Sequence, residues 1–154
     1  MFDLILYQPE IPPNTGNIIR VCANTCTHLH LIHPLGFELD DRRLRRAGLD
    51  YHEFADISQH DSWEECENGF VGRRVFAIST RGTQNYADVE YQNGDAFVLG
   101  PETRGLPQAL LNSLPAEQVL RIPMRPENRS LNLSNAAAIL LYEAWRQQGF
   151  SGGA

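Results

Sequence analysis

Residues 96–107 read Ala96-Phe97-Val98-Leu99-Gly100-Pro101-Glu102-Thr103-Arg104-Gly105-Leu106-Pro107. The first four are apolar without a polar break, the pattern of a strand buried on both faces. Two glycines and two prolines in the residues that follow impose a stiff, irregular loop, and Pro107 suits the first turn of a following helix. Strand, loop and helix in that order are the repeating unit of an α/β domain. A loop at the carboxyl end of such a strand is where open parallel sheets bind ligands. Gly100 permits close approach to the backbone, and Glu102 and Arg104 are charges held on the loop.

Working outward, the same alternation runs along the chain. Phe2-Asp3-Leu4-Ile5-Leu6-Tyr7, Leu29-His30-Leu31-Ile32, Val75-Phe76-Ala77-Ile78-Ser79 and Val119-Leu120-Arg121-Ile122 read as further buried strands. Helical patterns fall near 16–26, 40–48, 61–68, 107–113 and 133–148. The expected fold is therefore α/β, a mostly parallel sheet flanked by helices. The 154 residues suffice for one core without disulfide or metal staples. No repeat, low-complexity tract or linker divides them, so residues 1–150 are expected to form a single domain, with 151–154 a frayed tail. No apolar run approaches the roughly 18 residues that span a bilayer. Met1-Phe2-Asp3-Leu4-Ile5-Leu6 lacks the basic start of a signal peptide. Three cysteines, an odd number, argue against a disulfide framework and fit a reducing cytoplasm.

Two helices are informative. In the first, Pro12-Pro13 blocks an earlier start and Asn14 is expected as the N-cap. Ile19, Cys22, Ala23 and Cys26 then fall on one face, with Asn17, Arg20 and Asn24 opposite. In the last, Leu133, Ala136, Ala137, Leu140, Leu141, Ala144 and Trp145 follow the helical period and Gly149 supplies the stop. Ile139 and Tyr142 widen its apolar surface beyond one stripe, which points to a homodimer contact.

Two more strand ends carry chemistry. Ile78-Ser79-Thr80-Arg81-Gly82-Thr83 closes one strand. Arg121-Ile122-Pro123-Met124-Arg125-Pro126-Glu127-Asn128-Arg129-Ser130-Leu131-Asn132-Leu133-Ser134-Asn135 runs from another strand into the last helix. Ser130, Asn132, Ser134 and Asn135 crowd that helix start. One N-cap needs only one of them, and the surplus marks a polar site suited to an anionic or carboxylate-bearing ligand. Neither G-x-G-x-x-G after the first strand nor G-x-x-x-x-G-K-[ST] is present, which disfavours a dinucleotide fold or a P-loop. H-E-x-x-H and G-x-S-x-G are missing as well. Cys22, Cys26, His28, His30 and His33 do not match zinc-ligand spacing, and no metal is expected.

The net charge is −6, the wrong sign for a simple nucleic-acid binder. Yet all 13 basic residues are arginine, the better side chain for bidentate phosphate contacts. Arg42, Arg43, Arg45 and Arg46 form the densest basic run. With Arg73, Arg74, Arg125 and Arg129 they are expected to make a local positive surface, whose contacts to phosphates would weaken with salt; an ordinary solvated helix is the alternative for the run itself.

Asn14-x-x-Asn17-x-x-Arg20, then Gly100-Pro101-Glu102-x-x-Gly105, then Ile122-Pro123-Met124 followed by Ser130-Leu131-Asn132-Leu133-Ser134-Asn135, together resemble the three motifs of SPOUT-class RNA 2′-O-methyltransferases. In order and spacing they cover nearly the whole chain. With no added RNA-binding domain, the chain is similar to the minimal members, which methylate the wobble nucleotide (position 34, C or modified U) of tRNA. Pro9 to Asn17 and Tyr142-Glu143-Ala144-Trp145-Arg146 fit that subgroup. Arg125-Pro126-Glu127-Asn128-Arg129 departs from the class, where a glycine is common, and bears on substrate choice.

The resemblance implies a C-terminal trefoil knot, which pattern reasoning would never propose. It implies S-adenosyl-L-methionine held by the three strand-end loops, with Ile78, Gly100, Ile122 and Ser130 around it. Leu99, Glu102, Gly105, Met124 and Leu131 line the same pocket. It implies catalytic roles for Arg20, Asn17 and Asn132, with Arg20 of one subunit completing the site of the other. The class assigns the base to this arginine; a guanidinium stays protonated, so gripping a phosphate and polarising the hydroxyl is the role its chemistry suits. Methylation at another tRNA or rRNA position, or a non-catalytic RNA-binding module, are the alternatives that the residues leave open.

Overall fold

The computed structural model describes residues 1–40, 42, 46, 48 and 56–154. Seven strands form one wholly parallel sheet: β1 (Asp3–Tyr7), β2 (His28–Ile32), β3 (Ile57–His60), β4 (Val75–Ile78), β5 (Gln84–Asn85), β6 (Ala96–Leu99) and β7 (Val119–Arg121). Their spatial order is β3-β2-β1-β6-β4-β7-β5. Helices bounded within the described residues include α1 (Pro12–Asn24), α2 (Trp63–Glu67), α3 (Gln108–Ser113) and α4 (Leu133–Gln147).

Alternation along the central strands divides the core. Leu4, Leu6, Phe97, Leu99 and Leu120 pack with Ile18, Ile19 and Cys22 of α1 and with Leu133, Ala137, Leu140 and Leu141 of α4. Ile5, Val98, Ala96 and Ala77 face the other way, onto Trp63 and Cys66 of α2 and Leu110 and Leu111 of α3. Burial on both faces is why these strands read as unbroken apolar runs. β3 and β5 escape that reading. They lie at the two edges of the sheet, and Ile57-Ser58-Gln59-His60 has one apolar residue, so its pairing with β2 rests on backbone bonds rather than a hydrophobic pattern.

The first helix differs from expectation. It begins at Pro12, not near residue 16, because proline at the first helical position lacks only an N–H that would have no partner. Asn14 is thus inside the first turn and is not the N-cap; Ile11 occupies that place without a side-chain bond. Ile18, Ile19 and Cys22 are buried, whereas Ala23 is exposed and Cys26 lies exposed beyond the helix end. Asn17, Arg20 and Asn24 are exposed, as the helical phase requires. At the other end of the chain, α4 stops at a Schellman-type turn: Gly149 takes φ +67°, its N–H donates to Arg146 O, and the Phe150 N–H donates to Trp145 O. Trp145 Nε1 donates to Ser151 O at 3.0 Å. Of the expected helix 40–48, Arg42 and Arg46 are helical; Arg43 and Arg45 lie outside the described residues.

Phe97 is fully buried at the centre of the sheet, against Phe2, Phe76 and Tyr91. Phe97→Ala is expected to lower the unfolding free energy by about 3–5 kcal/mol in a urea titration. Val71→Ala, at a site 85% exposed, should stay within about 0.5 kcal/mol.

Candidate active site

β6, β4 and β7 are neighbours, and Ile78 is level with Leu99 on one side and Leu120 on the other. The three loops singled out in the sequence therefore leave the sheet at one height, side by side. They enclose a cavity of about 660 Å³, within the range of small-molecule sites. Ile78, Leu99, Gly100, Glu102 and Gly105 line it from the first two loops; Ile122, Met124, Ser130, Leu131 and Asn132 line it from the third. Every cofactor-binding position expected from the resemblance is thus in its wall, together with Asn132. Asn17 and Arg20 are not in that wall. They stand exposed further along α1, where the Arg20 guanidinium donates to Gly48 O.

The walls are held by a chain of polar contacts. Glu102 accepts from the backbone N–H of Glu10 at 2.8 Å and of Ile11 at 3.1 Å, and from Asn14 Nδ2 at 3.4 Å. Its carboxylate thereby sits at the start of α1, where the helix dipole favours an anion. Asn14 Oδ1 in turn accepts from Asn132 Nδ2 at 2.9 Å. Asn132 caps α4, its Oδ1 accepting from the Ser134 N–H at 2.9 Å, the Asn135 N–H at 3.4 Å and Ser134 Oγ at 2.6 Å. Of the four cap candidates, Asn132 is the one used. One carboxylate and two amides thus tie the β6 loop, α1 and α4 together.

A second link runs parallel to this chain. The backbone N–H and hydroxyl of Thr103 both donate to Glu10, at 3.0 and 2.8 Å, and hold its carboxyl below the usual value. Arg81 donates to Leu106 O at 2.8 Å and to Gln108, joining the β4 loop to the start of α3. Gly100 is required sterically: a Cβ there would lie 2.4 Å from the Gly105 carbonyl carbon and the Leu106 nitrogen. Gly82 is equally constrained, 2.5 Å from Leu120 O.

Asn14, Arg81 and Thr103 also line the cavity, and Glu10 braces it through Thr103, beyond the positions that the resemblance implies. Asn14 was masked by its expected role as a cap, and the Pro-Pro pair ahead of it was the signal that the helix starts earlier. The basic surface also needs correction. Arg73 bonds Asp3 and Gly94 O and lies over the Phe70 ring; Arg74 bonds both oxygens of Asp95 and Glu90 O. Both are committed to the fold by these partners. Arg42, Arg46, Arg125 and Arg129 are exposed.

A model of the SpoU rRNA Methylase family matches residues 1–142. A tRNA (cytidine(34)-2′-O)-methyltransferase from Methylovorus glucosotrophus is 60% identical over 99% of this chain and 99% of its own. Among solved structures, a putative RNA methyltransferase from Bacillus anthracis superimposes with a TM-score of 0.92 at 47% identity, covering 99% of this chain and 98% of that one. Another, described as giving structural insights into the 2-OH methylation of C/U34 on tRNA, has a TM-score of 0.89 at 45% identity, covering 97% of each chain.

The Asn14–Asn132 contact is expected to couple the two helices energetically. Asn132→Ala should cost about 1–2 kcal/mol through the lost cap alone. A double-mutant cycle with Asn14→Ala should return a coupling of at least about 0.5 kcal/mol. Strict additivity of the two substitutions in chemical denaturation would show that the bridge contributes nothing.

Proposed function

The chain belongs to the SpoU rRNA Methylase family, and from that premise we propose that it transfers a methyl group from S-adenosyl-L-methionine to the ribose 2′-hydroxyl of the wobble nucleotide, position 34, of tRNA. The observation that carries this reading is the single cavity formed where the β4, β6 and β7 loops meet. Its lining suits the cofactor. Ile78, Leu99, Leu106, Ile122 and Leu133 offer an apolar bed for an adenine ring, while Glu102, Ser130 and Asn132 supply polar groups at its rim. Gly105, with φ +67° and open space where a Cβ would stand, leaves the backbone accessible from the cavity. When bound, S-adenosyl-L-methionine supplies a methyl on a positively charged sulfur, which departs with little assistance.

The difficulty lies in the acceptor. A ribose hydroxyl is a poor nucleophile and must be held in line with the methyl carbon, about 3 Å away. A guanidinium is no proton acceptor, so in this reading Arg20 grips the adjacent phosphate and polarises the hydroxyl oxygen, and the proton passes to that phosphate or to water. Asn17 shares the exposed edge of α1 with Arg20, and Asn132 presents its amide at the cavity. Arg20 and Asn17 stand outside the cavity wall of their own chain, which supports a homodimer in which α1 of one subunit completes the site of the other. Tyr142, 44% exposed and packed edge-on against Trp145, offers apolar surface for that contact. The implied trefoil knot, a single domain over residues 1–150 and a cytoplasmic location belong to the same reading. Among the described residues no helix is long and apolar enough to cross a membrane. Arg42, Arg43, Arg45, Arg46 and Arg129 are the proposed tRNA contacts.

The deciding experiment incubates the protein with methyl-labelled S-adenosyl-L-methionine and unfractionated tRNA, then maps the labelled nucleoside. Label on the 2′-oxygen of nucleotide 34 is expected; label at another position, or in rRNA alone, would overturn the assignment. Arg20→Ala should reduce methyl transfer by about 10²-fold or more while calorimetric binding of the cofactor is unchanged. In Arg20→Lys, a pH–rate limb that moves would point to direct proton transfer by this side chain and against phosphate gripping as its role.

The arginine surface makes a separate expectation. Arg42→Glu and Arg46→Glu should weaken tRNA binding, spare cofactor binding, and flatten the salt dependence by up to about 0.9 per lost phosphate contact. Unchanged filter-binding curves would reduce that run to an ordinary solvated helix.

A further inference from the structure

We propose that His30, His60 and Cys66 form a zinc-binding site beneath α2, separate from the methyl-transfer cavity. The three come from β2, edge strand β3 and α2, and one donor atom of each lies within 4.8 Å of the others. None of them lines the cavity. The sequence offered a different cluster around Cys22 and Cys26; folding separates those two from this one and brings in His60 and Cys66, 30 or more residues away from His30.

The hydrogen-bond pattern specifies the donor set. His30 Nε2 lies 2.8 Å from Asp3 Oδ1, and a carboxylate there accepts, so the His30 proton sits on Nε2. Its Nδ1 lone pair then points at His60 Nε2, 3.0 Å away. Two imidazole nitrogens facing each other hold one proton between them, and a cation takes the same place. Carboxylate–histidine–metal is the arrangement in which an outer carboxylate fixes the tautomer and raises ligand basicity. Zinc with nitrogens at about 2.0–2.1 Å in a tetrahedron separates them by about 3.3 Å, so the pair need open only slightly.

Charge fits the same site. Asp3 accepts from both His30 and the Arg73 guanidinium, so the outer carboxylate is held from two sides. The ionised carboxylate offsets the nearby Arg73 guanidinium. Cys66 is 1% exposed, and a coordinated cation would displace its thiol proton to solvent. On binding, His60 carries its own proton on Nδ1, and water takes the fourth position. The ion would staple the edge strand β3 to β2 and α2.

The test uses the full chain, stripped with chelator and kept reduced, and titrated with Zn²⁺ and separately with Co²⁺. One equivalent per chain is expected to survive dialysis, with zinc raising the Tm. The cobalt form should show thiolate charge-transfer absorption together with tetrahedral d–d bands. Cys66→Ser should abolish the charge-transfer band, and His60→Ala should weaken zinc binding by about 100-fold and remove the Tm rise. Cys26→Ser, at an exposed cysteine, should leave all of these unchanged. Substoichiometric binding, a wild-type cobalt spectrum without thiolate character, or binding that survives His60→Ala would each mean an adventitious cation only and overturn the proposal. The wild-type spectrum decides the matter even if a variant fails to fold.

Discussion

The parallel register of β6, β4 and β7 is the constraint from which the site follows. Ile78, Leu99 and Leu120 stand level across three adjacent strands, so the chain leaves the sheet three times at one edge within reach of one ligand. Parallel pairing demands burial of both faces, and α1 with α4 on one side and α2 with α3 on the other supply it. The loops are therefore anchored at their roots in the sheet, two of them by the buried strands β4 and β6, while their tips are free to be shaped by Gly100, Gly82 and the prolines. A catalytic cavity gains from such an arrangement because positioning is set by the sheet and chemistry by the loops.

Within that frame the carboxylate of Glu102 links three elements at once. It receives two backbone N–H groups ahead of α1 and the Asn14 amide, and Asn14 passes the connection to the cap of α4. An uncapped helix start, an anionic loop residue and an amide-capped helix start satisfy one another. The outcome is that the first and last helices, more than a hundred residues apart in sequence, are fixed relative to the β6 loop by side chains that also face the cavity.

Legibility in the sequence tracked burial. The five strands that are mostly apolar are readable, as are the last helix and the three loops that meet at the cavity. The edge strands β3 and β5 were not, since an edge pairs through backbone alone and leaves little hydrophobic pattern. The start of α1 is hard to read because Pro12-Pro13 suits both a barrier ahead of a helix and a first helical turn, and the chain uses it as the latter. Residues whose role depends on a distant partner were also illegible one at a time. Arg73 and Arg74 resemble any exposed basic pair until Asp3 and Asp95 are seen beside them. His30, His60 and Cys66 belong to separate elements, and no spacing rule joins them.

The position of Arg20 argues for the two-subunit reading more strongly than the apolar breadth of α4 does. Asn14 lines the cavity, and Arg20 follows it by six residues on the same helix, about 9 Å along the axis. Its guanidinium is turned to the segment after β2, where Gly48 accepts its bond. In-line transfer to a hydroxyl tolerates little displacement, since about 1 Å of misplacement can cost 100-fold in rate. An arginine held that far along the helix, exposed and outside the cavity wall, is better placed for a site brought to it by another chain than for the cavity at the foot of its own helix. The net charge of −6 is compatible with this arrangement. Asp3, Asp95 and Glu102 are occupied with holding the protein together, while Arg42, Arg46, Arg125 and Arg129 stand exposed.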